Sequence, residues 1–142
     1  MFLNNLRYAY YLCCQRDSDC SQFVSGQEEI FKKLCESKCW DILYQDTNTY
    51  SRFHLNLLLR KIEPCSTLVI SHLHDLGCTP REIVKVLRQL YELHIWLLIG
   101  LEIADIYYLI EYIEDHYSDV MDEHISVNDE FFRRENNEFC IF

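Results

Sequence analysis

Eight cysteines and six histidines are the residues of this chain best equipped for chemistry, as nucleophiles, metal ligands or proton carriers. The cysteines stand at positions 13, 14, 20, 35, 39, 65, 78 and 140. Cys35 and Cys39, four apart, would share one face of a helix and could supply half of a structural zinc site. His72 and His74 lie near each other in sequence, but no second pair at ligand spacing completes the set. No HExxH, phosphate loop or nucleophile elbow occurs. The remaining histidines are scattered without a paired nucleophile, and a lone helical histidine such as His94 reads as a core or surface residue. The chain is therefore expected to hold no cofactor and to be no enzyme, with a small metal-dependent regulator kept as a third reading. The first twenty residues carry no signal-peptide pattern, so the cysteines read mainly as small buried apolar residues of a reducing compartment.

The elements that must position these residues read as helices. With only 3 Gly and 2 Pro in 142 residues, the chain has little turn material for a sheet. Phe2, Leu6, Ala9, Tyr10 and Cys13 fall on one face of a helix over residues 2–15. After a polar loop, Ser25 and Glu28 form a capping box for a second helix reaching about residue 44. A third helix over residues 50–61 presents Phe53, Leu57 and Leu58 and stops at Glu63-Pro64. A fourth, over residues 66–76, turns Val69, Leu73 and Leu76 inward.

Gly77 to Glu82 carries four boundary signals. Gly77 can end a helix in the left-handed conformation, Thr79 can cap the next, Pro80 suits its first position, and Glu82 completes a capping box. Beyond it, residues 83–113 are the most apolar part of the chain, and Gly100 is their only glycine. Thirty helical residues would extend about 45 Å, so a helical hairpin turning near Gly100 is expected. Glu92, His94, Glu102 and Asp105 interrupt the stretch, which excludes a membrane span. Tyr117-Ser118 should kink the chain, and Ser126 or Asn128 is expected to cap a last helix containing Phe131 and Phe132. One domain over 1–142 is expected, with residues 133–142 a flexible tail. A net charge of −10 argues against phosphate-backbone binding and so against nucleic acid.

Two segments in order resemble the Bcl-2 family of apoptosis regulators. His72-Leu-His-Asp-Leu-Gly-Cys-Thr-Pro-Arg-Glu-Ile-Val84 is similar, without a gap, to that family's first homology motif, approximately E-L-F-R-D-G-V-N-W-G-R-I-V. Leu73, Gly77, Ile83 and Val84 coincide, and Thr79 stands on the capping Asn. Downstream, Ile110-Glu-Tyr-Ile-Glu-Asp-His-Tyr-Ser-Asp-Val-Met121 resembles T-E-Y-L-N-R-H-L-H-T-W-I, with Glu111, Tyr112 and His116 in common. The family's Trp-Gly-Arg becomes Pro80-Arg81-Glu82, and its Gly-Gly-Trp is replaced by Ile125-Ser-Val127. Such divergence resembles the Bcl-2-like proteins of large DNA viruses, including iridoviruses and poxviruses.

The resemblance implies an all-α, Bcl-2-like bundle of seven to eight helices around a central hydrophobic helical hairpin. It implies a viral apoptosis inhibitor whose groove sequesters BH3 helices of pro-apoptotic host proteins such as Bim, over a narrow range of ligands. By position the groove would be formed by Phe31, Leu34, Phe53, Leu57, Val69 and Leu73, any of which could equally be core. Arg81 or Lys85 would meet the ligand's aspartate in place of the lost arginine. The alternative keeps the fold and inhibits innate immune signalling through a surface or homodimer interface. The implied location is the host-cell cytoplasm, peripheral to mitochondria where partners recruit it.

Overall fold

The computed structural model describes residues 6–12, 40–47, 51–100, 102–125 and 127. They build a five-stranded sheet in the order β2-β1-β3-β4-β5. The strands are β1 (Arg7–Leu12), β2 (Ile42–Asp46), β3 (Thr67–Ile70), β4 (Trp96–Ile99) and β5 (Glu102–Ala104). Strand β1 runs parallel to both β2 and β3, β3 runs parallel to β4, and β5 closes the edge antiparallel to β4. Three α-helices are described: α1 (Phe53–Lys61), α2 (Pro80–Glu92) and α3 (Ile106–His116). Short 3-10 turns cover Leu73–Leu76 and Ser118–Val120.

The expected all-α Bcl-2-like bundle is thereby overturned, and the reason lies in how a buried parallel strand reads. Tyr8 to Leu12 are buried without a break, because β1 has strands on both sides and covered faces above and below. Such a run lacks the polar and apolar alternation of a half-exposed strand and looks like the buried stretch of a helix. Tyrosine then favours the extended form. The expected first helix is β1 over its described part, the end of the second is β2, and the start of the fourth is β3.

The expected helical hairpin is an α-β-β-α unit. His94 adopts a positive φ of 56° just beyond α2, the Ile95 amide donates to the Leu90 carbonyl, and the apolar residues that follow pair with β3. Gly100 does mark a turn, with φ 66°, but the turn joins β4 to β5. Asp105 caps α3 by accepting from the Tyr108 amide at 3.1 Å. The third expected helix survives as α1 and ends at Lys61.

Alternation along the strands divides the core. Tyr8, Tyr10, Leu12, Leu68, Ile70, Leu97 and Ile99 share one cluster with the buried residues of α1, α2 and α3. Ala9 and Val69 belong to a second cluster, with Trp40 and Leu98 packed against it. Leu58, Leu87, Leu90, Leu109 and Ile113 are completely buried. Each contributes about 1.5 to 3 kcal/mol of transfer free energy, so these helices are held by packing more than by propensity.

Candidate functional site at the switch point of the sheet

In an open sheet ordered 2-1-3-4-5, successive connections depart on opposite sides of β1, and the crevice outside the carboxyl ends of β1 and β3 is where such folds bind ligands. Beside that edge two buried acids and one arginine organise the polar side chains. Asp46, the last residue of β2, is only 4% exposed. It accepts from the Tyr10 hydroxyl at 2.8 Å, the amides of His54 and Leu55 at 3.0 Å each, and the His54 ring Nδ1 at 2.9 Å. It therefore caps α1 from a distance in sequence, a role that Arg52, at the N-cap position, does not fill with its own side chain.

Burial pushes the Asp46 carboxyl up, but the bonds from the His54 amide, the Tyr10 hydroxyl, the Leu55 amide and the His54 ring outweigh it and hold the group below its ordinary value. The same contact acts oppositely on its partner: burial first, then the bond to Asp46, drives the Tyr10 hydroxyl far above its usual range. The pair is a phenol that stays protonated and a carboxylate that stays charged. His54 is half exposed, with Nδ1 turned toward Asp46.

Asp75, fully buried, sits in the turn after β3. Its carboxylate accepts from the Ser71 hydroxyl at 2.7 Å and the His72 amide at 3.3 Å, and it lies 3.7 Å from the His74 ring. The rings of His72 and His74 stack with centroids 5.0 Å apart. Arg52 joins this turn to the start of α1. Its Nε donates to the Asp75 carbonyl, Nη2 to the His74 carbonyl, and Nη1 to the Cys78 sulfur at 2.7 Å. Three donors of one planar fork thus fix the chain from β3 to α2.

At the end of that turn the Thr79 hydroxyl accepts from the Glu82 amide, as the sequence indicates, and Pro80 opens α2. The Glu82 carboxylate reaches back one residue further than a capping box requires, to the Cys78 amide at 2.9 Å. Gly77 is extended, with φ −179°, and not left-handed. What requires glycine there is space: a Cβ would stand 2.7 Å from the Glu82 Cβ and 3.0 Å from the Ile83 nitrogen.

The residues expected to line a BH3 groove do not converge. Phe31 and Leu34 lie outside the described residues. Phe53 is 66% exposed in the first turn of α1, and Leu57 is half-buried on the same helix. Val69 belongs to one core cluster and Leu73 to the other. Arg81 is exposed and paired with Asp122 at 2.6 and 3.2 Å, and Lys85 lines a cleft between α1 and α2. Cys35 and Cys39 lie outside the described residues, and among the described residues no group of three metal-ligating side chains occurs. No helix among them is long and apolar enough to cross a membrane. The sequence reading missed Asp46, Arg52, Ser71 and Asp75. Asp46 was legible as the polar stop of an apolar run, whereas Arg52 gives no local signal.

No protein-family model matches the chain, and no curated protein matches it in sequence. Solved structures do share its shape. A resolvase family site-specific recombinase from Streptococcus pneumoniae superposes with a TM-score of 0.59 at 12% identity, over 96% of this chain and 97% of that one. The C-terminal catalytic domain of ISC1926 TnpA, an IS607-like serine recombinase, gives a TM-score of 0.45 at 13% identity, over 80% of each chain. The fold is the α/β fold seen in the resolvase family recombinase.

This corrects the resemblance to viral Bcl-2-like proteins and what followed from it: the apoptosis inhibitor, its innate-immune alternative and the BH3 partners such as Bim. The expectation of no enzyme falls as well, since the fold is shared with a recombinase, which is an enzyme. So does the exclusion of nucleic acid. Net charge is a property of the whole chain, whereas a phosphate meets only the few side chains around it.

Proposed function

We propose that this chain is a recombinase-like domain that works on DNA, with its site at the carboxyl edge of the sheet between β1 and β3. The observation that carries the reading is the likeness to a site-specific recombinase over nearly the whole of both chains. The switch point supports it, because the polar groups ordered by Asp46, Arg52 and Asp75 gather where an open α/β sheet presents ligands. With a net charge of −10, DNA would be held by local cations and not by a broad positive field, and contact should be strongest at low salt.

The test is to incubate the purified protein with supercoiled plasmids carrying a library of randomised inserts. Nicked or relaxed plasmid, or a DNA strand that remains attached to protein through detergent, is the expected result. Unchanged topology, no attached strand and no retained sequence at low salt would overturn the reading.

A further inference from the structure

Seven basic residues are described outside histidine, and most are committed. Arg7 pairs with Asp41, Arg81 with Asp122 and Arg88 with Glu114, while Arg52 clamps the turn after β3. Arg60, Lys61 and Lys85 have no hydrogen-bonding or ion-pair partner among the described residues. Two of these three, Arg60 and Lys85, face each other across a cleft of about 410 Å³ between α1 and α2, which Arg52 also lines. In a chain of net charge −10, two cations without an ion-pair partner on one cleft, against the single acid Glu82, are unlike the paired arginines elsewhere among the described residues.

The cleft's floor indicates what kind of anion would fit. Leu55, Leu59 and Leu76 line it but are 8% exposed or less, so a ligand gains little apolar contact there. The exposed groups are Arg60, Lys85, Asn56, Gln89 and one acid, Glu82, beside the half-buried Val86. The Glu82 carboxylate accepts from the Cys78 amide at 2.9 Å, and the Gln89 amide is tied to the Leu59 carbonyl at 2.9 Å. An amphipathic peptide helix needs apolar pockets for its anchors, whereas a phosphodiester strand needs only spaced cations and polar donors. Arg52 makes the cleft continuous with the switch-point turn.

We propose that the α1/α2 cleft is a phosphate track: Arg60 and Lys85 hold the backbone of DNA approaching the switch-point site. This rests on the DNA reading above and says where a strongly acidic chain makes that contact.

The test measures anisotropy of a labelled DNA duplex against salt for the intact chain, for Arg60→Glu combined with Lys85→Glu, and for Lys61→Glu. Lys61 carries the same free charge and does not line the cleft. The double variant is expected to bind at least about tenfold more weakly, with a salt slope smaller by about 2, since each neutralised phosphate contributes about 0.9. Lys61→Glu should change affinity less than about twofold. Circular dichroism confirms that the variants fold, as expected for exposed sites. Equal losses for the double variant and Lys61→Glu would mean a diffuse field and overturn the track. Parent-like binding by the double variant, or equally good competition by a polyglutamate peptide in favour of an acidic protein partner, would also overturn it. If plasmid is processed while the double variant binds normally, only the track fails. If the intact chain neither binds nor processes DNA, the DNA reading fails and takes the track with it.

Discussion

Arg52 and Arg81 stand at the N-terminal ends of neighbouring helices, yet they hold the molecule in different ways. Arg52 spends its fork on two carbonyls and a thiol inside the turn after β3, beside a carboxylate that gathers four donors. Arg81 meets Asp122 at the surface, with the two side chains 62% and 76% exposed. Both contacts are short, so distance does not separate them. What does is the alternative each group would have. Water replaces Asp122 around Arg81 at little cost, while the groups around Arg52 and Asp46 are wholly or partly shielded from it.

The largest expected effect lies on the shielded side. Asp46→Ala removes the acceptor of the Tyr10 hydroxyl and of two helix amides, each of which costs about 1 to 3 kcal/mol when left unpaired in the interior. A loss of about 3 to 5 kcal/mol in urea unfolding is expected; under about 1 kcal/mol would mean that water takes the carboxylate's place. The acid limb of stability should report the same group. Its folded value is held below the ordinary 3.8, so the stabilisation is full above that value and fades as pH falls through the lower folded one. Asp46→Ala should flatten the decline in stability below about pH 4.

Between the two corners lies Gly77, and here the expected effect is smaller. With φ −179° any residue could adopt the backbone, so the cost of a side chain is the crowding against Glu82 and Ile83. Gly77→Ala should destabilise by about 1 to 3 kcal/mol, the range of overpacking. Gly77→Asn separates the explanations. Asparagine tolerates a left-handed backbone and would nearly restore a helix-ending glycine, but it relieves no crowding. A thermal midpoint for the Asn variant above that of the Ala variant would refute the steric account.

The same contrast explains what could be read from the sequence. Thr79 and Pro80 were legible because a helix start is written within four residues, and α1 and α2 were legible from their helical spacing. The sheet was not. Tyr8 to Leu12 acquire their meaning only from Ile42 to Asp46 on one side and Thr67 to Val69 on the other, partners that no local pattern announces. Asp46 caps a helix that begins seven residues later, and Arg52 reaches more than twenty residues ahead. The family likeness drew on the most local features of the chain, a cap and a glycine, which many folds share.

Arg81 gives the smallest expected effect and the sharpest test of the comparison. Its bond to Asp122 raises the guanidinium's affinity for its proton and holds the Asp122 carboxyl below its ordinary value, as any charged pair would. Both groups are open to solvent, and holding two long side chains in one geometry costs conformational entropy that offsets the attraction. Arg81→Ala is therefore expected to leave the unfolding midpoint within error of the parent, and any residual shift should vanish as salt screens the pair. The Arg81 amide also donates to the Met121 carbonyl at 3.0 Å, a backbone bond that alanine retains, so α2 stays attached to the segment after α3. A loss comparable to that of Asp46→Ala, persisting in high salt, would show that the surface pair closes this corner of the fold and that exposure is the wrong measure of what each arginine does.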